Sequence, residues 1–184
     1  MAYRLGLLAA IAVAGGFALA TIRQGRRARH AEAEALVDPL TGLANRRAFD
    51  RRLEEEWKRS DRYGRPLGLV MLDLDGFKQL NDTRGHKEGD RVLRETAALI
   101  ADRLREIDMA ARLGGDEFAA LCPDTPSEGL DALTHSLAET LQGLAVGVSI
   151  GYASREPTDE EPLDLLARAD AAMYRNKRAE TVRS

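Results

Sequence analysis

The sequence predicts an α/β sandwich in which helices pack on a central sheet, and three observations carry that reading. Short apolar runs alternate along the chain with longer amphipathic stretches, the pattern of helices layered on strands. The most apolar run, residues 67–74 (LGLVMLDL), is continuous rather than alternating, as a strand covered on both faces requires. Gly114-Gly115 separates two further short runs, 108–113 and 116–121, and reads as a hairpin signal.

Taken in order, residues 23–37 are rich in Ala, Arg and Glu and read as a basic helical stalk, too short to prove a coiled coil. Asp38-Pro39 breaks that helix and Thr41-Gly42 continues the turn. Asn45 can cap a helix running to about Tyr63, with Phe49, Leu53 and Trp57 at i, i+4, i+8 on one face, and Gly64-Arg65-Pro66 ends it. After the strand at 67–74, a second long helix fits residues 89–105, with Val92, Leu93, Leu99, Ile100 and Leu104 inward. The hairpin strands follow, then a helix over 127–142, a strand over 146–153 and a last helix over 162–178. No internal repeat or low-complexity tract is present.

The N-terminus predicts a membrane anchor. Residues 5–22 (LGLLAAIAVAGGFALATI) run for 18 positions without a charge, roughly 27 Å as a helix and enough for a hydrocarbon core. A cleaved signal peptide would use Ala18-Leu19-Ala20, but only Arg4 precedes the run. The arginines at 23, 26, 27 and 29 follow it and resist translocation. A buried soluble helix, the other reading, is usually shorter. The expectation is an uncleaved signal anchor over 1–22, a juxtamembrane stalk over 23–37 and a folded domain over 38–184. That makes a single-pass protein of the inner membrane with its domain in the cytoplasm. Small residues at Ala10/Ala14 and Ala12/Gly16 are a weak signal for helix pairing.

Of the 27 Lys and Arg, five precede Glu32, so 22 face 30 acids over residues 31–184, a net of −8. Such an acidic domain is a poor binder of nucleic-acid polymers. The single cysteine, Cys122, forms no internal disulfide, and no Cys/His cluster offers a zinc site.

The acids carry the chemistry. Asp73-Leu74-Asp75 ends the most apolar strand, and Asp116-Glu117 opens the strand after the Gly-Gly turn. Charge at the rim of a buried sheet costs desolvation unless something pairs it. A lone Asp-x-Asp is commonly a solvated strand cap. Two such pairs at adjacent strand ends suit Mg²⁺, a hard cation that takes oxygen ligands and shares its site with phosphate. Gly114-Gly115 beside them leaves room for a phosphate to approach backbone N–H groups.

At this point the residues resemble a known family. Leu113-Gly114-Gly115-Asp116-Glu117-Phe118 is similar to the signature of the GGDEF diguanylate cyclases. The stretch from Asp38-Pro39-Leu40-Thr41-Gly42 to Arg47 resembles the motif that opens the family's domain. The segment from Asp73-Leu74-Asp75-Gly76-Phe77-Lys78 to Asn81-Asp82, with Gly85-His86 and Gly89-Asp90, resembles its nucleotide-binding segment. Val148-Ser149-Ile150-Gly151-Tyr152-Ala153 and Ala169-Asp170 with Ala172-Met173-Tyr174 match two further stretches. The similarity covers about residues 36–178.

The resemblance implies a nucleotidyl-cyclase, polymerase-palm-like domain with a mostly antiparallel central sheet. It implies condensation of two GTP into cyclic di-GMP, with two pyrophosphates released, between two domains of a homodimer that face each other. Asp73, Glu117 and the Leu74 carbonyl would ligate Mg²⁺, with Mn²⁺ as a substitute. Asp116 would assist as a ligand or by helping deprotonate the 3′-OH. Lys78 and Lys177 would hold the β- and γ-phosphates, with Gly115 beside them, and Asn81 and Asp90 would contact guanine. Arg105 and Asp108 would form an Arg-x-x-Asp site where cyclic di-GMP binds as feedback ligand, without a second arginine in residues 133–137. Departures also stand out. The family's phosphate-binding arginine, four residues after the lysine, is Thr181 here, and residues 141–146 are a shorter connection than usual. An alternative reading is a catalytically weak GGDEF module that binds GTP or cyclic di-GMP as a signalling receptor. His86 reads as a loop-ordering residue, and His30 and His135 as surface residues.

Overall fold

The computed structural model describes residues 36–181. The expected membrane segment at 5–22 and the stalk through residue 35 lie outside the described residues. Among the described residues no helix is long and apolar enough to cross a membrane.

A five-stranded sheet forms the centre, in the order β1-β3-β4-β2-β5. Its strands are β1 (Ala44–Asn45), β2 (Leu67–Asp75), β3 (Met109–Gly114), β4 (Glu117–Pro123) and β5 (Gly147–Ser154). β1 runs parallel to β3, and every other pairing is antiparallel. Five helices, α1 (Arg46–Tyr63), α2 (Phe77–Arg84), α3 (His86–Arg103), α4 (Ser127–Leu141) and α5 (Pro162–Thr181), complete the domain.

Side chains alternate across a strand, so β2 serves two cores at once. Leu67, Leu69 and Met71 point to one face, against Phe49, Leu53 and Trp57 of α1 and Leu165, Ala169 and Met173 of α5. Val70, Leu72 and Leu74 point to the other, against Leu80 of α2, Val92 and Ile100 of α3, and Leu130 and Leu137 of α4. The continuous apolar run of β2 is explained by this double covering.

Local chemistry sets the element ends. The Asn45 side chain accepts from the Ala48 N–H at 3.0 Å and caps α1, a contact worth about 1 kcal/mol. Gly64 closes the same helix in the left-handed region at φ 62°, where a side chain would be strained.

The structure differs from the sequence expectation in three places. Residues 77–84, where no element was expected, form α2. Gly76 and Gly85, both at positive φ, bracket it, and α3 then starts at His86 rather than residue 89. The short β1 was not expected. The hairpin also turns on Gly115 and Asp116, because Gly114 pairs with Glu117 across it and a bulge lies between Arg112 and Gly114.

Candidate active site

The rim of the sheet gathers the acids by register. Asp73 of β2 lies opposite Glu117 of β4 on one side and Ser149 of β5 on the other, all three in one row. They share the face that carries Leu67, Leu69 and Met71, because residues two apart on a strand point the same way. Asp75 follows two positions on, and the buried Ser149 hydroxyl donates to its Oδ1 at 3.0 Å and Oδ2 at 2.9 Å. The Leu74 N–H donates to the Asp116 carbonyl at 3.3 Å. In extended backbone a residue's N–H and C=O leave the same edge, so the Leu74 carbonyl also faces the β3–β4 turn.

Helix α5 supplies the cation. Lys177 pairs with Asp73 Oδ1 in a short contact, and its Nζ lies 3.6 Å from Asp75 Oδ1. Burial pushes the Lys177 ammonium pKa down, but the bond to Asp73 and the charges of Asp73 and Asp75 outweigh it and hold it above the usual lysine range. The placement depends on Gly151, one row below Ser149. A Cβ there would sit 1.9 Å from the Met173 backbone nitrogen. The absent side chain lets α5 rest directly on β5, and Lys177 follows Met173 by one helical turn.

The hairpin turn is held from beneath. Arg112 donates to the Gly115 carbonyl from Nη2 at 2.7 Å and Nε at 3.1 Å. The same guanidinium reaches Asp38 at 3.2 and 3.3 Å. Asp38 in turn accepts from the Thr41 N–H at 2.9 Å and hydroxyl at 2.6 Å. Burial pushes the Asp38 carboxyl up, and these Thr41 bonds with Arg112 overcome it to hold the pKa below the usual range. Above the turn, nothing lies within 4 Å of where side chains on Gly114 and Gly115 would project, and both residues have positive φ. The backbone there is open to a phosphate.

The remaining residues fall in two other places. Lys78 is exposed on the first turn of α2, while Asn81 of α2 packs on Gly89, next to the half-buried Asp90 of α3. Arg105 and Asp108 sit at the opposite end of the sheet, beside the end of β4, roughly 20 Å of strand away from Glu117. Arg105 donates to both Asp108 oxygens, at 2.7 and 3.0 Å, to the Pro123 carbonyl at 3.1 Å, and to the Thr125 hydroxyl in a short contact. Asp108 holds the Arg105 guanidinium pKa above its usual value.

This geometry meets its counterpart in known proteins. The family described as "Diguanylate cyclase, GGDEF domain" matches residues 35–183. The chain belongs to the GGDEF diguanylate cyclase family. It is 39% identical over 173 residues to Diguanylate cyclase DgcP of Pseudomonas aeruginosa, covering 86% of this chain and 26% of that protein. The chain thus spans about a quarter of that relative's length. Among solved structures, the GGDEF domain of DgcB from Caulobacter crescentus, in complex with c-di-GMP, aligns with TM-score 0.76 and 34% identity. That alignment covers 79% of this chain and 92% of that one. Diguanylate cyclase SiaD from Pseudomonas aeruginosa, in complex with its activator SiaC, aligns with TM-score 0.75 and 35% identity, covering 94% of this chain and 70% of that one.

Within this GGDEF domain the structure brings together Asp73, Leu74, Asp116, Glu117, Gly115 and Lys177. It places Lys78, Asn81 and Asp90 on α2 and α3 beyond the same end of β2. Sequence reasoning missed Arg112, Ser149 and Gly151 as parts of the site. Arg112 reads as an ordinary polar residue of a strand, and only the fold shows that its partner is Asp38. No group of three or more His, Cys, Asp or Glu that could hold a metal gathers among the described residues. The donors are two facing carboxylates and a backbone carbonyl, all hard oxygens, with the open Gly114-Gly115 backbone beside them. That set fits a magnesium-type cation that completes its shell with water and phosphate oxygens, and it does not fit a closed all-protein cage.

Proposed function

We propose that this chain is a diguanylate cyclase, condensing two GTP into cyclic di-GMP with release of two pyrophosphates at the interface of a homodimer. The observation that carries the reading is the register pair Asp73 and Glu117 beside the open turn of a GGDEF domain. Asp73, Glu117 and the Leu74 carbonyl would hold Mg²⁺, with Mn²⁺ as a substitute. When bound, that cation neutralises charge on the attacking and leaving oxygens of an in-line displacement.

The chain's own groups do the rest. Lys177 and Lys78 take the β- and γ-phosphates as point charges, and the Gly115 backbone lets them approach closely. Asn81 and Asp90 face guanine, whose N1–H and N2–H₂ donate to the Asp90 carboxylate, a donor pair that adenine lacks. Asp116 assists removal of the 3′-OH proton. The 3′-oxygen then bonds to the α-phosphorus of the partner domain's GTP, and the bond to pyrophosphate breaks. One domain supplies half of this two-fold site, so turnover needs two copies.

Residues 5–22 anchor the chain in the inner membrane with the domain in the cytoplasm, supported by the uncharged run and the arginines that follow it. Arg105 and Asp108 take cyclic di-GMP as a feedback ligand, supported by a half-exposed Arg105 side chain that the buried Asp108 carboxylate holds in place. Incubation of the purified chain with GTP and Mg²⁺, followed by chromatography of the nucleotides, tests the activity. Specific activity should climb with protein concentration, and a flat dependence down to monomeric samples contradicts the dimer.

A further inference from the structure

Gly89 lies inside α3, where glycine costs helix stability relative to alanine. It is buried. An ideal Cβ at Gly89 would fall 2.0 Å from the Asn81 amide oxygen, 3.0 Å from its Cγ and 3.1 Å from the tip of the Phe77 ring. The Asn81 amide therefore occupies the notch that the missing side chain leaves. Among the described residues Asn81 has no side-chain hydrogen bond, although it is half-buried. Its position is fixed by shape and its polar edge is unspent. Asp90 follows Gly89 directly, and its carboxylate is about half exposed, with Arg94 no nearer than 4.0 Å.

We propose that Gly89 is a specificity-determining positioning residue, whose notch seats the Asn81 oxygen and leaves the amide NH₂ outward as a donor beside the Asp90 acceptor. A donor and an acceptor held side by side complement a purine edge that offers a carbonyl next to an N–H, as guanine does and adenine does not. The inference rests on the proposed guanine role of Asn81 and Asp90. A side chain at Gly89 would push Asn81 out of this arrangement without touching the phosphate end of the site, so it acts on nucleotide choice rather than on the chemical step.

The test is a two-by-two set of full chains: wild type, Gly89→Ala, Asn81→Ala and the double variant, each measured for KM and kcat with GTP and ATP and for thermal unfolding. Gly89→Ala should raise the GTP KM about tenfold at nearly unchanged kcat, and narrow the preference for GTP over ATP. In the Asn81→Ala background the same substitution should change the GTP KM less than about twofold, because the closest clash partner is gone and only the tip of the Phe77 ring, at 3.1 Å, remains. Unfolding reads the notch without activity. Gly89→Ala should raise Tm when Asn81 is trimmed, as helix propensity dictates, and raise it less, or lower it, when the Asn81 amide must be displaced. Equal effects of Gly89→Ala in both backgrounds, on KM and on Tm, would overturn the proposal. An Asn81→Ala chain with wild-type nucleotide preference would instead remove the guanine role on which it rests.

Discussion

The ammonium of Lys177, on the last helix, rests on the carboxylate of Asp73, 104 residues earlier at the rim of β2. The contact joins the group proposed to meet phosphate to the group proposed to meet metal, and it exists because Gly151 lets α5 lie on β5. Gly151→Ala would set a Cβ against α5 backbone, which cannot swing aside as a side chain would. Such overpacking costs about 1–3 kcal/mol. We expect a lower Tm and a raised GTP KM in the same variant. An unchanged Tm would show that α5 does not need this close approach.

Arg112 and Asp38 form the second such tie, joining the hairpin turn to the segment that opens the domain. Their side chains are only 14% and 18% exposed. Arg112→Ala leaves the Gly115 carbonyl and the Asp38 carboxylate without that donor, a loss of about 1–3 kcal/mol. Stability and kcat should fall together, because the turn carries Asp116 and Glu117. A variant with reduced stability and full kcat would mean the turn holds its shape unaided.

Much of this was legible in the sequence, and the exceptions have physical causes. The run at 67–74 had to be a doubly covered strand, and Asn45 had to cap a helix, because burial and capping act locally. α2 escaped because it is short and polar, with Leu80 alone buried. Its helical state is set by the Gly76 and Gly85 turns and by packing. The acids Asp73 and Glu117 stood out by motif, but their facing positions come from strand register. Ser149 and Gly151 looked like ordinary strand residues, since their partners Asp75 and Met173 are distant in sequence.

At the far end of the sheet, Arg105 is already oriented by Asp108, Thr125 and the Pro123 carbonyl. A fork held in this way loses little freedom when a phosphate or a guanine acceptor arrives. Added cyclic di-GMP should inhibit the wild type, and Arg105→Ala should relieve the inhibition while turnover persists. Product titration on both proteins measures this, and equal inhibition would remove the site from the account.

Acid should loosen the connection between β5 and α5. Asp159 is buried. Burial pushes its carboxyl up, but Arg168 and the Glu156 N–H outweigh that and hold its pKa below the usual range. With the folded pKa depressed, the stabilising contribution is complete above the ordinary carboxylate value of about 4 and fades as pH falls through the folded value. Asp159→Asn should therefore lose about 1–3 kcal/mol at neutral pH, with the gap to wild type closing below about pH 4. Denaturant unfolding across pH reads this, and a constant gap into strong acid would contradict the ion-pair account.

The central claim is that the carboxylates of Asp73 and Glu117 serve a GTP condensation. Its most direct measurement follows GTP consumption with Mg²⁺ present, quantifying cyclic di-GMP and pyrophosphate together in wild type and in Glu117→Gln. The account predicts one cyclic di-GMP for every two pyrophosphates in wild type, and neither product from Glu117→Gln at an unchanged melting curve. A folded Glu117→Gln chain that keeps near wild-type turnover, or a wild type that makes no cyclic di-GMP from GTP, would contradict it.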